Sequence, residues 1–137
     1  MLNLIMFLNL FIFLCSMKPT VLCVDDDSKE HQEYLNLLGP LYNIVEAYNS
    51  RDAREMLKAM TIDVILMDFQ LGMENGVLVT GKLKEEGFTQ PVLIVSRNHP
   101  GDKTAELART EYGAYDFVIK DPEIYKPVLE AMIKELV

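Results

Sequence analysis

From residue 20 onward the chain alternates short β-branched runs with longer amphipathic stretches, and Gly, Pro and Asn fall between them. That rhythm predicts a parallel sheet covered by helices on both faces. Strands are expected over residues 21–24, 42–46, 64–67, 92–95 and 115–119. The third and fourth are continuously apolar, as central parallel strands are. Asp27 followed by Glu30 resembles a capping box opening a first helix, which Gly39-Pro40 closes. A second helix runs from about Ser50, with Ala53, Met56, Leu57 and Met60 spaced to face a core. A third covers 76–86 and ends at Gly87, and a fourth covers 104–112 and ends at Gly113. The last runs from about Pro122, where Tyr125, Val128, Leu129, Met132, Ile133 and Leu136 form one apolar stripe. The expected class is α/β, a doubly wound five-stranded sheet.

At 137 residues, half of them hydrophobic, the chain accommodates one compact domain. A formal charge of −8 argues against a nucleic-acid groove or an anionic membrane surface, because both need a basic face. A divalent cation or a basic protein patch suits it better. Cys15 and Cys23 are the two cysteines, and neither has metal-ligand spacing, so a reduced, cytoplasmic chain with Cys23 as core filler is expected. Residues 1–16 stand apart: MLNLIMFLNLFIFLCS is almost wholly apolar and uncharged. A spanning helix needs roughly 20 apolar residues and a secretory leader wants a basic start, so this segment fits neither. Met17 directly precedes the domain pattern. A start assigned too early is the expectation, with a membrane tether as its rival; residues 17–137 are expected to form the domain, with no output domain after it.

In a doubly wound sheet the functional site lies outside the carboxyl ends of the strands. Those ends deliver Asp25 and Asp26 after the first strand, Asp68 after the third, Ser96 after the fourth and Lys120 after the fifth. Singly, an Asp there is usually a cap, a Ser a turn residue and a Lys a solvated end. Jointly they bring three acids, a hydroxyl and an ammonium to one edge. Clustered carboxylates offer the hard oxygen ligands that Mg²⁺ prefers, and the cation relieves their repulsion. With it in place a carboxylate can act as a nucleophile toward a phosphoryl group, while the lysine and hydroxyl stabilise the transferred group.

These motifs, VDDD after the first strand, MDFQLGMENG after the third, PVLIVS for the fourth and GAYDFVIK for the fifth, resemble the receiver domain of two-component response regulators from about Lys18 to Val137. The resemblance implies the flavodoxin-like strand order 2-1-3-4-5. It also implies that Asp68 is the phosphoacceptor and that Mg²⁺ is held by Asp25, Asp26, Asp68 and the backbone carbonyl of Gln70. On the same resemblance Ser96 and Lys120 stabilise the phosphoryl group, and Ser96 with Phe117 forms the switch. Asp27 has no assigned role beyond capping. Three positions depart from the family pattern. Asp121 follows Lys120 where Pro is usual, which points to a trans bond there. Gly72 replaces the usual Pro after the phosphoacceptor, which implies a looser loop. Arg97 follows Ser96 where a small residue is common, and its length implies restricted access and slow phosphate exchange.

The function so implied is a single-domain response regulator. It takes a phosphoryl group from a histidine kinase or histidine phosphotransfer protein and signals to a downstream effector by protein contact. It catalyses its own phosphorylation and dephosphorylation and is not a free-standing turnover enzyme. The alternative is a receiver-like module that signals without phosphorylation. A haloacid-dehalogenase-type hydrolase would need a second Asp where Gln70 stands. A flavin module would meet a repelling acidic loop. His31 and His99 have no paired ligand spacing and are expected at the surface. Tyr112, Tyr115 and Tyr125 fall near the output face, where packing explains them equally well.

Overall fold

When helices cover both faces of a parallel sheet, every residue of an inner strand meets apolar neighbours, and successive side chains feed opposite cores. The computed structural model describes residues 3–121, 123 and 125–137, and it follows this rule. The strands β1 (Thr20–Val24), β2 (Asn43–Ala47), β3 (Val64–Asp68), β6 (Val92–Ser96) and β7 (Asp116–Ile119) form one parallel sheet in the order β2-β1-β3-β6-β7. This is the flavodoxin-like order, and each strand lies within one or two residues of its expected limits. A separate two-stranded hairpin, β4 (Gln70–Leu71) with β5 (Glu74–Asn75), was not foreseen.

One face carries Leu22, Val24, Ile65, Met67, Val92 and Ile94, packed beneath α3 (Ser50–Ala59), α4 (Gly76–Glu85) and α5 (Asp102–Thr110). The opposite face carries Val21, Cys23, Val64, Leu66, Leu93 and Val95 beneath α2 (Ser28–Leu38) and α6 (Tyr125–Leu136). Cys23 is fully buried, and burial pushes its thiol pKa up, so it remains a neutral filler. The expected start of α6 at Pro122 lies outside the described residues; the helix begins at Tyr125. Ahead of the sheet runs α1 (Leu4–Ser16), whose Leu4, Ile5, Phe11 and Ile12 are exposed. Among the described residues no helix is long and apolar enough to cross a membrane.

Asp27 caps α2, its Oδ1 accepting from the Lys29 amide at 2.9 Å. Glu30 does not complete the capping box, because its side chain turns inward and is spent elsewhere. Asn75 caps α4 by accepting from the amides of Val77 and Leu78, which fixes the chain just after β3. Gly76 opens α4 against the end of β3: a Cβ there would lie 2.0 Å from the Asp68 carbonyl oxygen. The Gly76→Ala variant must move either α4 or the Asp68 backbone, at a cost of about 1–3 kcal/mol. A clearly lowered thermal midpoint is the expected result, and an unchanged midpoint would contradict this packing.

Candidate functional site

Register alone brings the four strand ends together. Val24 of β1 pairs with Met67 of β3, Asp68 with Val95 of β6, and Ser96 with Ile119 of β7. The residues that follow therefore share one edge. The Lys120 amide donates to the Ser96 carbonyl at 2.7 Å, continuing the β6–β7 ladder one residue further. The edge opens into a cleft of about 300 Å³ lined by Asp25, Asp26, Asp68, Ser96 and Lys120, together with Glu30 and Arg97.

The carboxylates of Asp25, Asp26 and Asp68 each place an oxygen within 4.8 Å of the others. Asp25 is almost fully buried; its Oδ1 accepts from the Asp27 amide at 3.0 Å, whereas its Oδ2 makes no hydrogen bond among the described residues. Lys120 Nζ stands 3.5 Å from that Oδ2. Burial raises the Asp25 pKa against the opposing pull of the Asp27 amide and Lys120. Asp68 is pushed up to about 7, first by burial and next by the negative charge of Asp25, with Asp26 adding to it and Lys120 opposing. A buried acceptor without a donor, beside two carboxylates that resist ionising together, suits a hard divalent cation with oxygen ligands. The donor set fits Mg²⁺, and Asp25, Asp26 and Asp68 would hold it.

Gln70, whose carbonyl the resemblance assigns to the cation, begins the β4–β5 hairpin and pairs with Asn75. Gly72 does not loosen this loop. It takes φ +61 at the first position of a two-residue turn and Met73 is not left-handed, the pattern of a tight type II′ hairpin that proline could not enter. Its vacant Cβ position lies 3.6 Å from Asp26 Oδ2, so the turn passes close over the acids. The peptide bond joining Lys120 to Asp121 is trans, as are all others among the described residues. Ser96 Oγ donates to the Asn98 carbonyl at 2.9 Å and so is engaged in its own loop. Phe117 is half-buried, its ring 5.5 Å from that of Phe69 at 60°. The residue next to Asp68 is thus in contact with the expected switch aromatic.

Two residues were misjudged from sequence. His31 is buried rather than at the surface: its Nε2 lies 2.7 Å from the Asp25 carbonyl and, facing an acceptor, must donate. It thereby fixes the backbone that aims Asp25. His99 is exposed as expected. Glu30, given only a capping role, is buried and accepts from Lys120 Nζ at 2.7 Å and from Arg97 Nη2. Burial pushes its carboxyl up, but the hydrogen bond and charge of Lys120, then those of Arg97, outweigh it and hold the pKa below the ordinary value. Arg97 is exposed but folds back onto Glu30. A signal existed for both: positions 30, 31, 34 and 38 lie on one helical face with the buried Tyr34 and Leu38. A charged residue on an apolar face must find a partner.

Strand order and an acid-lined carboxyl edge together define a flavodoxin-like receiver fold. The family model described as the response regulator receiver domain matches residues 21–133, and the chain belongs to that family. It is similar to the autoinducer 1 sensor kinase/phosphatase LuxN of Vibrio campbellii, 40% identical over 81 residues that cover 57% of this chain and 9% of LuxN. It is also similar to the response regulator ArlR of Staphylococcus aureus, 28% identical over 66% of this chain and 40% of ArlR. The matched region is thus well under half of each of these relatives. Among solved structures, a two-component response regulator of the LuxR family from Aurantimonas sp. SI85-9A1 superposes with a TM-score of 0.73 at 27% identity, covering 86% of each chain.

Between its ordinary value and 7, Asp68 is protonated in the fold and ionised in the unfolded chain, so its contribution to stability falls as pH rises through that window. In a chelator, Asp68→Asn should therefore melt above the wild type at pH 8, by about 1–2 kcal/mol once solvent screening of a half-buried group is allowed for. The gap should narrow as pH falls toward 4, and added Mg²⁺ should raise the wild type more than the variant. Thermal scans across pH check this, and a gap independent of both pH and Mg²⁺ would contradict it.

Proposed function

We propose that this receiver domain accepts a phosphoryl group on Asp68, from a phosphohistidine of a histidine kinase or phosphotransfer protein, and passes the signal to an effector protein by surface contact. The observation that carries this reading is the three-carboxylate cluster, with an Asp25 Oδ2 that accepts no hydrogen bond among the described residues and an ammonium 3.5 Å from that same oxygen. A bound Mg²⁺ would neutralise the acids and draw charge from the incoming phosphoryl oxygens.

The chain's own residues do the rest. An Asp68 carboxylate oxygen attacks phosphorus; the oxygen–phosphorus bond forms as the phosphorus–nitrogen bond to the donor breaks, its electron pair leaving on nitrogen. Lys120 supplies positive charge to the transferred group, and Ser96, once it leaves the Asn98 carbonyl, supplies a hydroxyl donor. The transferred group carries roughly −1.5 to −2 charge, in place of the carboxylate's own single charge, at the head of the loop after β3. A shift of Ser96 vacates space near the β6–β7 edge, and Phe117, already against Phe69, is placed to follow it. The chain so read is a phosphoacceptor that catalyses its own modification and not a turnover enzyme. The hold of Glu30 on Lys120 favours a second reading, a receiver that signals without phosphorylation.

Intact mass after incubation with phosphoramidate separates the two. A gain of one phosphoryl group that needs Mg²⁺ and is absent in Asp68→Asn is expected. No gain in a folded, Mg²⁺-binding protein would favour the phosphorylation-independent module.

A further inference from the structure

Among the described residues, Lys120 Nζ makes one hydrogen bond, and it goes to Glu30 Oε2 at 2.7 Å rather than to Asp68. Asp25 Oδ2 is the next acid, at 3.5 Å, and the Tyr34 ring lies under the ammonium at 5.3 Å. The side chains of both Lys120 and Glu30 are less than a tenth exposed. Glu30 also receives Arg97, so this one carboxylate on α2 ties down the loops that follow β6 and β7. None of the roles inferred for Asp25, Asp26, Asp68, Ser96 or Lys120 requires an acid at this place.

We propose that Glu30 is a positioning residue that competes with the phosphoryl group for Lys120, and so sets how readily Asp68 is phosphorylated. The inference rests on the reading of Asp68 as phosphoacceptor. To meet an oxygen carried on Asp68, the ammonium must swing away from Glu30, which the four-carbon stem of lysine permits. Glu30 is then left buried with Arg97 as its remaining charge partner, and a buried carboxylate stripped of a partner is costly. That cost appears only along the path to the phosphorylated state. It slows uptake without weakening the resting protein, which keeps the full Lys120–Glu30–Arg97 network.

The test is the initial rate of phosphorylation by phosphoramidate at saturating Mg²⁺, followed by intact mass. Asp68 gains the phosphoryl group as the phosphorus–nitrogen bond breaks and ammonia leaves with the electron pair. Glu30→Gln keeps the side-chain shape and removes the charge; Glu33→Gln, at an exposed neighbour, removes the same charge from the same helix. The expected result is an uptake about three- to tenfold faster in Glu30→Gln and unchanged in Glu33→Gln. In a Lys120→Ala background the effect of Glu30→Gln should vanish, since the two act through one contact. Should that background fail to fold, the binding of beryllofluoride, a non-covalent phosphoryl mimic, should tighten by a similar factor in Glu30→Gln alone. A wild type that is phosphorylated while Glu30→Gln is no faster overturns this inference and leaves the phosphoacceptor reading standing. If neither protein takes the group although both bind Mg²⁺, the phosphoacceptor reading fails and the inference with it.

Discussion

Repulsion among Asp25, Asp26 and Asp68 is the constraint on which the rest of the site depends. Three carboxylates whose oxygens approach within 4.8 Å, one of them almost fully buried, would separate if the chain allowed it. The sheet does not allow it. Asp25 follows the last residue of β1 and Asp68 ends β3, and both strands are pinned by side chains buried in two cores at once. Packing at that density turns a shift of one strand end into a loss of contacts on both faces. The strain is therefore electrostatic and is relieved from outside the chain, by protonation near pH 7 or by a cation. Adding a phosphoryl group alone would deepen the imbalance, and a cation bound beside it would offset that.

Around these acids the positive charge is rationed. Lys120 is the ammonium at the edge, and it is shared between Asp25 and Glu30 with the shorter contact to Glu30. Arg97 meets the other oxygen of the same Glu30. One buried carboxylate on α2 thus holds both basic side chains, and of the three clustered acids Asp25 alone has a basic group within 4 Å among the described residues, the longer of the two Lys120 contacts. On the far side of Asp68, the Phe69–Phe117 contact links the acid's own loop to β7. Charge on one flank and aromatic packing on the other give a change at Asp68 two physical routes outward.

The three inner strands were legible because burial on both faces leaves such strands no polar positions, and VLCV, VILM and VLIV have none. Their ends were legible for the same reason: where the apolar run stops, the first polar residue marks the edge, and four of the five runs stop at an acid, a serine or a lysine. The hairpin 70–75 was not legible, since two-residue strands have no period to detect and Gly72 signals a loop and a type II′ turn alike. Glu30 and His31 were misplaced for a different reason. Asp27 and Glu30 satisfy the capping spacing by composition, yet the rotation of α2 against the sheet turns position 30 inward. Local pattern fixes that a helix starts there; only the tertiary packing decides which of its polar residues points at Lys120.

The most direct measurement locates the modified residue. Borohydride reduces an aspartyl phosphate to homoserine, and the tryptic peptide 59–82 reports the position by fragmentation. Homoserine at position 68, formed only after treatment with phosphoramidate and Mg²⁺, is the result this account requires. Homoserine at Asp25 or Asp26, or at none of the three acids, would contradict it.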